Sequence, residues 1–139
     1  MRSGSVSRCA SIRAATDITG FGLLGHALNI ANASKLQLRI EAGKVPLLPG
    51  VRKLVELGCI PGGAFRNLDY VGAAVEFAPN LPYELKMLLN DPQTSGGLLM
   101  CVKAENAQAV IAELRDAGYT FAAAIGETAA STHPALAIY

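Results

Sequence analysis

Between Gly20 and Ala33 the apolar residues Phe21, Leu24, Leu28 and Ala31 recur at i, i+3, i+7 and i+10, the spacing of one helix face. The period then changes. Leu36, Leu38, Ile40 and Ala42 alternate with Gln37, Arg39 and Glu41, which predicts a half-buried strand with the polar set outward. Pro46 and Pro49 open a second helical pattern in which Leu47, Leu48, Val51, Leu54 and Val55 share a face and Gly58 supplies the stop. Ile60 to Asn67, with Pro61, Gly62 and Gly63, reads as loop by composition, and Val71 to Ala78 reads as a strand. Pro82 suits the first position of a short helix carrying Leu85, Leu88 and Leu89, which ends near Asn90 because Pro92 biases Asp91 out of the helical region. Leu98 to Val102 is strand-like. A further helix over Glu105 to Ala117 buries Ala107, Val110, Ile111 and Leu114 and stops at Gly118; Phe121 to Gly126 and Ala135 to Tyr139 supply the last strands. Alternating strands and helices, with several continuous apolar strands, define an α/β protein with a layered sheet covered by helices. Residues 1–12, rich in Ser and Gly and without periodicity, read as a leader, linker or cut end, and 13–139 as one domain.

Composition narrows the function classes. Hydrophobic residues make up 51% of the 139 and charged residues 17%, against roughly 25% charged in an ordinary soluble domain, so the polar surface is thin. Thin polar surface predicts a partner surface, including self-association. No apolar run approaches the ~18–20 residues of a membrane helix, and Met1 to Ser5 has no apolar core for a signal peptide, so the chain reads as cytoplasmic and free of membrane. Net charge is +1 with Lys and Arg scattered, which argues against nucleic acid as a partner. Cysteines at 9, 59 and 101 are odd in number and far apart, which argues against both a disulfide framework and a CxxC metal knuckle. Cys101 reads as an inert core thiol and Cys59 as a small hydrophobe under a loop.

Two glycine-rich segments carry the candidate chemistry. Ala15-Thr16-Asp17-Ile18-Thr19-Gly20-Phe21-Gly22-Leu23-Leu24-Gly25-His26 places one acid and three glycines at the start of an apolar helix, an arrangement suited to phosphate and divalent metal. Asp17 has two readings, a helix cap or first-turn acid and a metal ligand. Thr19 is the better-placed cap, and no Glu or Gln three residues after either residue completes a capping box. Gly20 and Gly22 allow backbone approach to phosphate, whereas Gly25, a turn further in, suits packing. The second segment, Asp91-Pro92-Gln93-Thr94-Ser95-Gly96-Gly97, offers the hydroxyls of Thr94 and Ser95 and the N–H groups of Gly96 and Gly97 to an anion or a domain interface; a tight helix-to-strand turn is the plainer reading. His26 reads as a packed or surface histidine, His133 has no evident partner, and Arg66 is either a phosphate contact or a solvated cation. Neither glycine segment matches the dinucleotide fingerprint or the P-loop, and no residue qualifies as a catalytic nucleophile or base.

Together these two segments resemble the C-terminal domain of the selenophosphate synthetase (selenide, water dikinase) family, within the superfamily named for aminoimidazole ribonucleotide synthetase. The resemblance runs from about Arg13 to the C-terminus; thiamine-monophosphate kinase and the hydrogenase-maturation dehydratase carry different residues at both loops. It implies an α/β sandwich with a mixed sheet, truncated at its N-terminal edge, and a chain that is a fragment of an enzyme using ATP, Mg²⁺ and reduced selenium. It further implies a missing N-terminal ATP-binding domain, a homodimer, and Asp17 as a magnesium ligand completing an aspartate cluster of that domain. Thr19, Gly20, Gly22, Thr94, Ser95, Gly96 and Gly97 would then lie near phosphate. Cys9 lacks the Lys and glycine-rich setting of the family nucleophile, so the fragment alone is expected to be inactive and to bind neither ATP nor Mg²⁺ tightly. Two alternatives stay open: another ATP-dependent enzyme of the superfamily, and a stand-alone, non-catalytic binding or assembly module.

Overall fold

The computed structural model describes residues 12–130 and 133–139; Cys9 and most of the presumptive leader lie outside them. The chain runs β1 (Ile12–Asp17), α1 (Gly22–Ser34), β2 (Gln37–Ile40), α2 (Val51–Glu56), α3 (Gly62–Val71), β3 (Val75–Phe77), α4 (Tyr83–Leu89), β4 (Leu98–Val102), α5 (Ala107–Asp116), β5 (Gly126–Ala129) and β6 (Leu136–Ile138). Short 3₁₀ turns sit at Ala42–Lys44, Gly72–Ala74 and Ala104–Asn106. β1 and β4 form an antiparallel ribbon. The second sheet is mixed, in the order β3-β6-β2-β5, with β3, β6 and β2 parallel and β5 antiparallel to β2. This is the α/β architecture with a mixed sheet and packed helices that the patterning and the resemblance lead one to expect.

The core lies between α1 and the mixed sheet. Leu24, Ala27, Leu28 and Ala31 of α1 meet Leu38 and Ile40 of β2 and Leu136 and Ile138 of β6, with Val71, Leu85 and Leu89 closing the layer. Helix α1 ends because Lys35 turns left-handed at φ 53°, and its N–H donates back to the carbonyls of Ala31 and Asn32. In β2 the alternation holds except at Gln37, which is buried rather than outward. Its amide is satisfied locally: Nε2 donates to the Pro134 carbonyl at 2.9 Å and Oε1 accepts from Arg39 Nε at 2.9 Å.

Several expected elements shift. In α2 only Val55 is buried, and Leu48 and Leu54 are exposed, because the helix is short and lies at the surface against α4. Of the stretch read as loop at Ile60 to Asn67, Ile60 and Pro61 are irregular, but Gly62 to Asn67 form the first part of α3. Ala64, Asn67 and Val71 line its buried face at helical spacing, and a Cβ on Gly63 would stand 2.8 Å from Pro92 Cγ, so glycine there serves close packing. Because α3 runs through Val71, the following strand is only Val75–Phe77. Pro82 stands just before α4, not within it. Helix α5 buries none of its residues fully; Ala107, Val110, Ile111 and Leu114 are half-buried. β5 begins at Gly126 rather than Phe121, because its ladder with β2 starts opposite Ile40 and Phe121 is exposed. Cys59 is exposed and not under a loop, whereas Cys101 is half-buried and burial pushes its thiol up.

Candidate functional site

The register of the β1–β4 ribbon brings the two glycine segments together. Asp17, the last residue of β1, pairs with Leu98, the first of β4, so the chain leaving β1 and the chain entering β4 run side by side. Three hydrogen bonds stitch them: Ile18 N–H to Gly97 O at 2.9 Å, Gly96 N–H to Ile18 O at 3.0 Å, and Gln93 N–H to Thr19 O at 3.2 Å. Two glycines make this approach possible. Gly22 adopts φ +66°, and a Cβ there would lie 2.8 Å from the Asn90 carbonyl carbon; a Cβ on Gly96 would lie 2.8 Å from Ile18 O. Gly22 is buried, so this main-chain contact accounts for its side-chain requirement; Gly20 is exposed, with nothing within 4 Å of the Cβ position.

Side chains from two helices hold the turn between β1 and α1. His26, buried on α1, accepts a hydrogen bond from the Thr19 main-chain N–H at Nε2, 3.1 Å away, and the Thr19 hydroxyl lies 3.0 Å from the same nitrogen. An N–H can only donate, so Nε2 is unprotonated and the proton of the neutral ring sits on Nδ1. Phe21 packs edge-on to the His26 ring, with centroids 6.0 Å apart, and also meets Tyr70. Asn67 of α3 donates from Nδ2 to Gly20 O and to Asn90 O, each at 2.9 Å.

The capping readings fail on this geometry. Asp17 ends a strand, the residue before α1 is Phe21, and α1 has neither a side-chain cap nor an acid in its first turn. The Thr19 hydroxyl faces His26 instead of a helix N–H. The Asp17 side chain is therefore exposed at the tip of the ribbon and, among the described residues, has no ion-pair partner. No three His, Cys, Asp or Glu among the described residues are grouped to hold a metal. Asp17 is thus an exposed carboxylate that could offer one oxygen to a hard cation, and by itself it does not make a metal site.

Thr94, Ser95, Gly96 and Gly97 form an exposed stretch leading into β4, with Gly97 at φ +84°. Asp91, at the root of that loop, accepts a short hydrogen bond from Gln93 Nε2. Burial raises its carboxyl above the ordinary carboxylate value, and the Gln93 bond opposes that rise. Arg66 is exposed on α3. His133 lines a small cleft with Asn32 and Lys35 at the far end of α1, so it has no part in the junction. Sequence reasoning missed Asn67, and the helical spacing Ala64, Asn67, Val71 is the signal that could have found it; Asp91 stands where Pro92 predicted, outside the preceding helix.

The ribbon, the mixed sheet and the glycine-lined junction lie within one stretch that a family model covers. Residues 5–138 match the family described as AIR synthase related protein, C-terminal domain, and the chain belongs to that family. Several curated relatives are named selenide, water dikinase. It is 54% identical over 116 residues to selenide, water dikinase of Porphyromonas gingivalis strain W83, covering 83% of this chain and 33% of that protein. It is 47% identical over 120 residues to the Pseudomonas aeruginosa enzyme of the same name, covering 86% and 34%. Against the Aliarcobacter butzleri enzyme it is 44% identical over 138 residues, covering 99% and 38%. The chain spans about a third of the length of the relatives it matches. No helix among the described residues is long and apolar enough to cross a membrane.

Proposed function

We propose that this chain is the phosphate-facing C-terminal domain of a selenide, water dikinase, the enzyme that converts selenide, ATP and water to selenophosphate, AMP and phosphate. The observation that carries the reading is the junction itself: two segments some seventy residues apart are joined by main-chain hydrogen bonds, with Asp17, Thr94 and Ser95 exposed beside it. The sequence likeness to enzymes of that name supports the choice within the family.

In this reading Asp17 offers a carboxylate oxygen to Mg²⁺, and the exposed Gly20 turn lets phosphate oxygens approach the main chain. Thr94 and Ser95 present hydroxyl donors to the same anion, and the loop N–H groups add partial positive charge. Bound Mg²⁺ supplies neutralisation of phosphate charge. His26, with Nε2 committed to Thr19, orients the turn and takes no proton from substrate. The remaining donors and the nucleophile come from an ATP-binding domain of the complete protein. Phosphoryl transfer depends on positioning and charge stabilisation, and one aspartate supplies little of either.

Assay of the complete protein for selenide-dependent nucleotide cleavage tests this. The expected product is AMP, formed only when selenide is present, and the 139-residue chain alone is expected to form none. ADP as the sole product, or turnover indifferent to selenide, would assign the protein to another ATP-dependent activity of the superfamily.

A further inference from the structure

We propose that Asn67 is the positioning residue of the junction, fixing the Gly20 turn and the segment leading into Asp91–Gly97 in one register through the two hydrogens of a single amide. The consequence for activity rests on the phosphate-facing reading above; the clamp itself rests on geometry alone.

Nδ2 of Asn67 lies 2.9 Å from Gly20 O and 2.9 Å from Asn90 O. An amide nitrogen carries two hydrogens, so each carbonyl receives one. The residue is 7% exposed, which leaves little room for water to replace it. The two acceptors belong to different segments, and the donor stands on a third element, α3, anchored through Ala64 and Val71. Asn90 is tied from its other side as well, since its own Nδ2 donates to Lys86 O at 2.9 Å at the end of α4. Glycine-rich segments hold their conformation poorly by themselves, because glycine has the most backbone freedom to lose. His26 holds Thr19 from α1 and Asn67 holds the next residue, Gly20, from α3, so consecutive residues of the turn are gripped from two sides.

The chemistry of the side chain makes the clamp specific to Asn. An ionised carboxylate at this position cannot donate, and it would face two carbonyl oxygens; a protonated carboxyl can donate once. Asn67→Asp is therefore predicted to release the junction at neutral pH and to regain part of it in acid, a pattern that loss of packing would not produce.

The test uses amide hydrogen exchange and NMR on this chain without nucleotide, so its outcome is separable from the assay of activity. In the unaltered chain, scalar couplings across hydrogen bonds are expected from the Asn67 side-chain nitrogen to the carbonyl carbons of Gly20 and Asn90. In Asn67→Asp at about pH 7.5, the amides of Ile18, Gln93 and Gly96 are expected to exchange about tenfold faster than in the unaltered chain, while Leu38 in the mixed sheet and Ala42 and Tyr139 at the ends of its strands keep their rates. At about pH 5 the ratio should fall back partway. His26, bonded to Thr19, Asp91, next to Asn90, Lys86, whose carbonyl binds Asn90, and Arg66, Asp69 and Tyr70 of α3 are common to both proteins. Absent couplings would overturn the proposal, as would equal acceleration in both groups of amides or a loss with no recovery in acid. Should Asn67→Asp not fold, Asn67→Ser takes its place in the exchange comparison, and the coupling measurement needs no variant.

Discussion

The two sheets of this domain are held by opposite means. In the mixed sheet, Leu38, Ile40, Leu136 and Ile138 are all buried beneath α1, so strand positions there are fixed by apolar packing. The β1–β4 ribbon touches the core only through partly buried residues such as Ala14, Leu99 and Cys101, and Leu98 at its tip is 68% exposed. What fixes that tip is hydrogen bonding: three main-chain bonds between the segments, with His26 and Asn67 gripping the turn. Stability thus resides chiefly in the mixed sheet. Burial secures the sheet, while directional bonds keep main chain and an acid at the surface in a set geometry, where a ligand can reach them.

The comparison breaks first, and most visibly, at the centre of the mixed sheet. Leu136 is fully buried, so Leu136→Ala should cost ~3 kcal/mol of unfolding free energy by denaturant titration, within the usual span for such truncations. Leu98→Ala at the ribbon tip should stay within ~0.5 kcal/mol. Equal losses would show the two sheets to be one packed unit.

A smaller effect is expected at the junction. Gly22→Ala forces a side chain into left-handed backbone against the Asn90 carbonyl, at a cost of ~1–3 kcal/mol. Gly20→Ala meets open space and should be nearly neutral. Thermal unfolding of both variants measures the contrast, and a neutral Gly22→Ala would remove the close approach from the account.

The smallest effect concerns Asp91. Burial raises its carboxyl above 3.8, so the folded chain holds that proton more tightly than the unfolded one. Its contribution to stability is therefore present below 3.8 and declines as pH rises through the elevated value. Asp91→Asn should show a slightly higher midpoint at neutral pH and a flatter melting profile above about pH 4. An unchanged pH profile would mean that Asp91 is as well hydrated as in the unfolded chain.

Strong periodicity made most of the fold legible in the sequence. Phe21 to Ala31 at helical spacing and Leu36 to Ala42 in alternation mark α1 and β2, and Gly58 and Pro92 bound their neighbours. Helix α3 was hidden because its buried face includes a polar residue, Asn67, and its first turn carries two glycines whose packing against Pro92 is a tertiary fact. The two glycine segments were visible one at a time. Their convergence was not, since it depends on β1 and β4 pairing across about eighty residues, which local pattern does not encode. The choice between a cap and a free acid at Asp17 likewise waited on where β1 ends and α1 begins.

In the function proposed above, the exposed acid at the ribbon tip serves metal binding and not folding. Asp17→Asn in the complete protein keeps the shape and a neutral oxygen while removing the charge a metal needs. Selenide-dependent AMP formation, followed across a magnesium titration beside thermal unfolding of the same sample, reads both properties at once. The midpoint of unfolding should stay unchanged while turnover falls at least about tenfold, or the magnesium required rises equally. Full activity at every magnesium concentration, or a loss that follows unfolding, would contradict that role.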